Sequence, residues 1–328
     1  MIIDTVKCLR CPLCMRPELD INCTSKDGDD VLEGSIICRR CQASFAIKES
    51  IPILVKKGLD YKGSSDKGLT VDDLSVLQKL EQRDYHDVFG NTDPAIDRPH
   101  GYGNLYGFLT YAQLERAEKL LPHDVRGRRM INLCGGSGVE AEYFARKGAM
   151  VTLVDLSFES LRGALERSRR YGFKIEAIYA DFENLPFIDS AFDIGFTYEG
   201  LHHLSVPRIG LSEMSRVCSQ VIFMVEPARS VIKRIAVAMG FSSNVEKSGN
   251  YVHSFKSGEL MKVFRELGFE NARVKRHLHY YPKGPPRTYS FFENAWLFIA
   301  FKKLFEAMNL LFGAMGNKLV AVAWGKEN

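Results

Sequence analysis

The chain has 328 residues, with 44 basic against 40 acidic side chains and a formal charge of +4. That length can bury a full core, and 45% hydrophobic with 26% charged residues is ordinary globular composition, which excludes a disordered or fibrous chain. The longest apolar run, AWLFIAF at 295–301, is far below the ~20 residues of a spanning helix, and the opening MIIDTVKCLRCPLC lacks a signal peptide's apolar stretch, so a cytoplasmic protein is expected.

Six of the eight cysteines fall within the first 41 residues. Cys134 and Cys218 sit far away in apolar runs and read as core thiols. Cys11-Pro12-Leu13-Cys14 and Cys38-Arg39-Arg40-Cys41 are two C-x2-C pairs. Each makes a tight turn that aims two sulfurs at one point, and two such turns supply the tetrahedral sulfur set that zinc favours. Cys8 lies three residues before Cys11, so Cys8 and Cys11 are an alternative first pair; Pro12 favours 11/14 by stiffening that turn. An iron–sulfur cluster on 8, 11 and 14 lacks its fourth cysteine close behind. Cys8 and Cys23 are left as free or packing thiols. The following QASFAIKESIPILV, through Phe45, Ile47, Ile51, Pro52, Ile53 and Leu54, resembles the end of the small zinc ribbon typified by the eukaryotic and archaeal methyltransferase activator protein. The resemblance covers about 9–55 and implies a structural or docking module. Four thiolates with no open position carry no chemistry at the metal. The ribbon is expected over 1–57.

KKGLDYKGSSDKGLT reads as a linker, placed at 58–75. Val71, Leu74, Leu77 and Leu80 have helical spacing. NTDPAIDRPHGYGNLYG reads as a loop, and FLTYAQLERAEKLL as a helix stopped near Pro122. These front pieces, 76–123, cover one face of the next domain, or carry Tyr102 and Tyr106 to a ligand cleft.

From 129 onward apolar strands alternate with amphipathic helices that end in glycine. This pattern predicts a parallel sheet covered on both faces, with a ligand beyond the carboxyl ends of the strands. Those ends carry Gly135, Gly136, Ser137 and Gly138; then Asp155; then Asp181; then Tyr198 to His203; then Glu226 and Pro227. Asp155 stands 17 residues after Gly138, near the distance at which an acid pairs with ribose hydroxyls. A nicotinamide dinucleotide would want G-x-G-x-x-G, whereas this turn reads C-G-G-S-G-V.

The segment YADFENLPFIDSAFDIGFTYEGLHHL, with the turn before it, resembles the class I S-adenosylmethionine-dependent methyltransferases, in particular the group acting on quinones, lipids and other small molecules. Asp181, Leu185, Pro186, Phe187, Phe192, Asp193, Leu201, His202 and His203 match that group's pattern in order, over about 128–227. The resemblance implies a Rossmann-like α/β fold: a seven-stranded methyltransferase sheet with an antiparallel last strand, at 76–328. It also implies S-adenosylmethionine held at this edge, with Asn132, Cys134, Gly135, Gly136, Gly138, Asp155, Leu156, Asp181, Phe182 and Tyr198 as candidate contacts; Tyr106 joins them as a candidate from the reading of the front loop alone. Asp155 would take the ribose hydroxyls, and Asp181 the adenine amino group with Phe182 beside it. Asn132 replaces a frequent aspartate and Cys134 the usual first glycine. Gly135 follows directly, so the turn's backbone freedom is expected to shift by one residue. The reaction would be in-line attack by an O, N or C nucleophile on a sulfonium methyl, with alignment as the main contribution. His202, His203 and Glu226 are candidate bases; the histidines equally suit a scaffold role.

In the last third, SFKSGELMKVFRELGF is an amphipathic helix, and ENARVKRHLHYY and NKLVAVAWGKEN are strands. Insertions at 228–255 and 284–316 lie on the substrate side, with Tyr251 and His253 as weak site candidates. The apolar segment 289–312 reads as core or homodimer packing, as a wall for an apolar acceptor, or as a membrane-surface contact. A small-molecule or lipid acceptor is the leading partner. The alternative is ribosomal RNA, since the guanine-N1 methyltransferases of large-subunit RNA also join a zinc module to this domain. Basic clusters at 126–129, 167–170 and 274–287 are modest, and the mild charge does not favour nucleic acid. A non-catalytic scaffold is the third reading.

Overall fold

A computed structural model describes residues 3–56, 58–59, 74–240, 243, 245, 252–280 and 286–326. Most of the expected linker at 58–75, and Tyr251, lie outside the described residues. Near the N-terminus, β1 (Leu19–Asp27) and β2 (Asp30–Cys38) form an antiparallel hairpin, followed by β3 (Ser44–Lys48) and β4 (Ile51–Pro52) in the order β1-β2-β3-β4. The hairpin turns at Gly28, whose φ of +57° is left-handed. Ile36, Ile47, Ile51 and Leu54 are buried and make the ribbon's small core.

The chain continues through α1 (Leu74–Phe89), α2 (Asp93–Asp97), α3 (Gly103–Glu118), β5 (Arg129–Leu133), α4 (Val139–Arg146), β6 (Met150–Asp155), α5 (Phe158–Tyr171), β7 (Ile175–Tyr179), β8 (Phe192–Tyr198), α6 (Pro207–Val217) and β9 (Cys218–Pro227). It ends with α7 (Val231–Ala238), α8 (Ser257–Glu266), β10 (Phe269–His277), α9 (Ala295–Phe312) and β11 (Lys318–Lys326). Among the described residues, β5 to β11 form one seven-stranded sheet in the order β10-β11-β9-β8-β5-β6-β7. Strands β5, β6 and β9 are buried almost without alternation, as strands covered on both faces must be. β5 pairs in parallel with β6 on one side and β8 on the other, so the strand order reverses at β5. β11 runs antiparallel to β10. The expected Rossmann-like methyltransferase sheet, with its antiparallel end, is the one observed.

The chain divides into two compact units, 1–96 with 125–222, and 97–124 with 223–328. In the first, the ribbon continues the edge of the large sheet. Ile53 forms a parallel bridge with Tyr179 at the end of β7, and the Leu54 amide donates to the Tyr179 carbonyl at 2.9 Å. Leu9 bridges Phe187 in antiparallel fashion, the Arg10 amide donates to Pro186, and the Ile188 amide donates to Cys8. An edge strand is thereby covered by the chain's own N-terminal module. In the second unit, α3 carries Leu105, Phe108 and Leu109 against Phe292, Phe301 and Phe305.

Three expectations are corrected. The stretch read as a loop at 91–107 contains α2 and the start of α3; Ala95 and Ile96 are buried, and Pro94 sits in the first turn, where its missing N–H costs nothing. The strand expected to run to Tyr281 ends at His277. The apolar segment 289–312 is core only in part: Phe292, Phe301 and Phe305 join the α3 cluster, while α9 leaves Trp296, Leu304, Leu310 and Leu311 exposed.

Candidate functional site

Two sites emerge, both in the first unit. The metal candidate comes from two turns of matching geometry. In the first, the Cys11 amide donates to Arg16 and the Met15 amide to Cys11, with Met15 at φ +61°. In the second, the Cys38 amide donates to Ala43 and the Gln42 amide to Cys38, with Gln42 at φ +60°. The amides of Leu13 and Cys14 point at Cys11 Sγ, and those of Arg40 and Cys41 at Cys38 Sγ. The four sulfurs of Cys11, Cys14, Cys38 and Cys41 lie within 4.8 Å of one another; Cys11–Cys41 is 3.6 Å and Cys14–Cys38 is 3.5 Å. A tetrahedron with Zn–S of about 2.3 Å has edges of about 3.8 Å, so the donor set fits. Cys8 stands outside the set. Cys23 is exposed on β1.

The second site is a cavity of about 200 Å³ at the carboxyl ends of β5, β6 and β7. Of the residues singled out from sequence, Cys134, Gly136, Asp155, Leu156, Asp181, Phe182 and His203 line it. Gly136 has φ +50°, and a Cβ there would meet open space, so its backbone faces the cavity. Gly138 has φ +81°, and a Cβ would lie 3.0 Å from that of Ala164; it is the close contact between turn and α5. The expectation that backbone freedom had moved from 134 to 135 is corrected. Cys134 itself keeps the left-handed conformation, at φ +52°, and Gly135 is needed for space, since a Cβ would sit 2.8 Å from Asn132 Oδ1. Asn132 is buried at the end of β5 beneath this turn, and neither its Oδ1 nor its Nδ2 has a hydrogen-bond partner within the protein.

Asp155 is fixed by two amides: Gly136 N–H donates to Oδ2 at 2.9 Å and Ser157 N–H to Oδ1 at 2.8 Å. Burial pushes its pKa up, while His86 and the two amides oppose that rise. Asp181 accepts from the Glu183 amide on Oδ1 and from Lys79 Nζ on Oδ2, at 3.0 and 2.7 Å. Lys79 also pairs with Glu183. Burial pulls the Lys79 ammonium pKa down, but the two carboxylates outweigh it and the net direction is up.

The opposite wall belongs to α1. Lys79, Gln82, Arg83 and His86 line the cavity, a contribution the sequence reading missed. A signal existed: Lys79, Gln82, Arg83, His86 and Asp87 recur at helical spacing as regularly as the leucines. The helix is held close by Gly90 and Gly163, where a Cβ on Gly163 would lie 2.2 Å from the Gly90 carbonyl oxygen. Asp87 extends the cap of α5, accepting from Ser157 Oγ at 2.7 Å and the Glu159 amide at 3.2 Å.

The histidines separate. His203 lines the cavity, its ring 4.3 Å from that of His202 and 6.0 Å from that of His86. His202 is buried beside it and does not line the cavity. Tyr198 ends β8 and is likewise not among the lining residues. Tyr106 and Glu226 belong to the second unit. There Tyr106 packs against Tyr102 on α3, and Glu226 is fully buried in β9. His253 borders a separate cavity with Arg229, Lys233 and Arg234.

Comparison with known proteins bears on this cavity. Residues 132–221, which hold most of it, match the methyltransferase domain family. The chain is similar to the demethylmenaquinone methyltransferase of Clavibacter sepedonicus, 36% identical over 96 residues, which is 28% of this chain and 38% of that protein. A second such enzyme, from Paenarthrobacter aurescens, is 35% identical over 119 residues, 35% of this chain and 46% of that protein. The chain thus spans less than half the length of these curated relatives. Among solved structures, phosphoethanolamine N-methyltransferase 2 of Haemonchus contortus with S-adenosyl-L-methionine matches at TM-score 0.52 and 19% identity, over 75% of this chain and 60% of that one. A methyltransferase–activator complex from Haloferax volcanii matches at TM-score 0.50 and 18% identity, over 75% and 98%. At such identities the likeness is one of fold: this chain has the Rossmann-like fold of S-adenosylmethionine-dependent methyltransferases.

Proposed function

We propose that this chain is an S-adenosylmethionine-dependent methyltransferase acting on a small or lipid-like acceptor. The observation that carries the reading is that Asp155 and Asp181 face one cavity with the open Gly136 turn beside them. The protein supports the fit chemically. Each Asp155 oxygen accepts one amide and keeps a lone pair for a ribose hydroxyl. Asp181 pairs with Lys79 and keeps lone pairs for an exocyclic amino group, with Phe182 lining the same space. When bound, the cofactor supplies an electrophilic methyl group on sulfur. The chain's own task is to bind and align, to keep water from the reacting atoms, and to take up a proton where the acceptor has one. Of the two histidines on the cavity wall, His86 and His203, the one assigned to hold that proton is His203, which follows the carboxyl end of β8. The quinone-type curated relatives support a lipid-like acceptor.

Calorimetry with S-adenosylmethionine is the decisive test. Asp155→Ala removes two hydrogen bonds to a charged group, each worth about 1.5–3 kcal/mol, and should weaken binding by about 100-fold or more. Absence of binding to the unaltered chain would sink the reading. Transfer of labelled methyl to demethylated quinones, set beside transfer to ribosomal RNA, sorts the acceptor class.

The ribbon is the second part of the proposal: Cys11, Cys14, Cys38 and Cys41 hold a structural zinc ion. Its role follows from its contacts. Pro12 accepts from Asn184 Nδ2, and Arg10 donates to the Leu185 carbonyl and pairs with Glu213, so the first cysteine turn braces the segment just after Asp181. Elemental analysis should give one zinc per chain, and Cys38→Ser should lose it together with the thermal stability of the ribbon. Metal-free wild-type protein of unchanged stability would refute that part alone.

A further inference from the structure

Helix α9 is apolar apart from Lys302, Lys303, Glu306 and Asn309, yet it packs through one narrow stripe. Phe298, Phe301, Phe305 and Asn309 turn toward the protein, and Phe301 and Phe305 join the α3 cluster. On the other side Trp296 is 81% exposed, Leu304 61% and Leu311 72%. Leu297, Ala300, Ala307 and Met308 complete that face and are exposed as well. A contiguous apolar patch left bare marks an interaction site.

The chemistry of the flank selects the occupant. Lys303 borders the exposed face on the helix itself, and Lys302 lies over the rings of Phe108 and Phe298 at 5.2 and 5.5 Å. One turn further round, Glu306, Asn309 and Leu310 border a cavity of about 460 Å³ whose remaining wall includes Arg116, Lys119, Lys275 and Arg276. Glu306 is the acid among these residues, and Arg116 already engages it at 2.6 Å. Cations therefore dominate the side of an exposed apolar helix. A second copy pressed against this face would bring its own like-charged flank with it. A lipid surface with anionic headgroups meets both features, with acyl chains against the leucines and phosphates against the lysines. Among the described residues no helix is long and apolar enough to cross a membrane, so the helix would lie in the interface rather than span. Trp296 at its first turn suits that depth, where an indole keeps one edge wet.

We propose that α9 is a membrane-docking helix, with the Lys119, Lys275 and Arg276 cavity taking the phosphate of an anionic phospholipid. This stands without the methyl-transfer reading, and the two fail separately, because vesicle binding needs no cofactor.

The test is flotation of the full-length chain with vesicles of phosphatidylcholine alone or of phosphatidylcholine mixed with phosphatidylglycerol. The mixed vesicles should bind it, with a blue shift of tryptophan emission that disappears in Trp296→Ala. At about 1 kcal/mol per cation near the surface, Lys119→Glu with Lys275→Glu should weaken binding at least tenfold. Leu304→Glu with Leu311→Glu should abolish it; both positions are exposed, so circular dichroism should show the fold retained. Failure to float with the mixed vesicles, or binding indifferent to both double variants, overturns the proposal. So does a dimer in sedimentation equilibrium that Leu311→Glu disperses, since that face would then be covered by a second copy. Inorganic phosphate binding that Lys119→Glu abolishes, in a chain that ignores vesicles, would likewise assign the cavity to a free anion.

Discussion

The two compact units treat charge and apolar surface in opposite ways. In the first, ionic groups taken out of water meet opposite charges: Arg167 and Glu142, both essentially inaccessible, pair at 2.7 Å, and Lys79 sits between Asp181 and Glu183. In the second, burial shifts three basic groups toward their neutral forms. His277 and His279 are pushed down to about 3, with nearby Arg116 adding to the effect, and burial alone drives the Lys318 amine well below its ordinary range. His277 is also held by Gln113, at 3.0 Å. The apolar surface is inverted too, for the second unit leaves α9 bare. The contrast teaches that a buried ionisable group is tolerated in two ways: by pairing, as around the proposed cofactor cavity, or by a shift toward its neutral form, as in the unit that carries the proposed docking helix.

The largest expected effect comes from breaking a pair in the first unit. Glu142 accepts from Arg167 Nε at 2.7 Å and from Arg146 Nε at 2.7 Å, in the first turn of the helix that follows the glycine turn. Glu142→Ala strands a fully buried guanidinium and should cost about 3–5 kcal/mol in denaturant unfolding. A cost under about 1 kcal/mol would mean that the arginine relocates to water and that the pairing is not what holds this unit. Lys79→Met is next, at about 2 kcal/mol, discounted because this lysine is partly screened by solvent. Its signature lies in pH. The Lys79 pKa is raised in the fold, so its stabilisation is complete below the unfolded value of about 10.4 and fades as pH climbs beyond it. The gap between wild type and Lys79→Met should therefore narrow at alkaline pH; a constant gap contradicts the charge account.

The two buried histidines of the second unit should answer acid. They are neutral in the fold and accept protons once unfolded. The stability they allow is present above about pH 6.5 and drains away as pH falls toward 3. Each contributes a slope of about 1.4 kcal/mol per pH unit across that window. Urea midpoints at stepped pH values should show this, and His277→Gln, which can still meet Gln113, should remove one histidine's share. A variant with the full wild-type slope would show that His277 is protonated in the fold.

Which parts could be read from residue order depends on chain distance. The cysteine turns are self-contained: two cysteines three residues apart declare the turn that joins them. The acid wall was legible for a similar reason, because Gly136, Asp155 and Asp181 each end a strand whose apolar run names its position in the sheet. The cationic wall was not. Lys79 meets Asp181 across 102 residues, and a polar stripe on a helix reads as a solvent face until a partner is seen opposite it. His203 rather than His202 on the cavity depends on the short 3-10 turn at Leu201–His203, which no periodicity announces. The helix at Asp93–Asp97 hid behind its proline and aspartates, and α9 carries the composition of a core helix although its neighbours cover one stripe only.

The smallest effect tests the departure at the glycine turn. Cys134 holds φ +52°, a conformation that costs a side chain with a Cβ about 1–2 kcal/mol. Its side chain is also wedged near Gly200, where a Cβ would come within 2.5 Å of Cys134 Cβ. Cys134→Gly relieves the backbone but frees the unfolded chain, an entropic loss of about 0.4–1 kcal/mol. The net gain should be no more than about 1 kcal/mol. Cys134→Val keeps the strain and adds a branch at Cβ, so it should lose stability. If the turn's conformation is what matters for the cofactor, Cys134→Gly leaves S-adenosylmethionine affinity within a few fold of wild type. A large loss in the glycine variant would instead mean that the thiol itself, on the cavity wall, contributes contacts that glycine cannot replace.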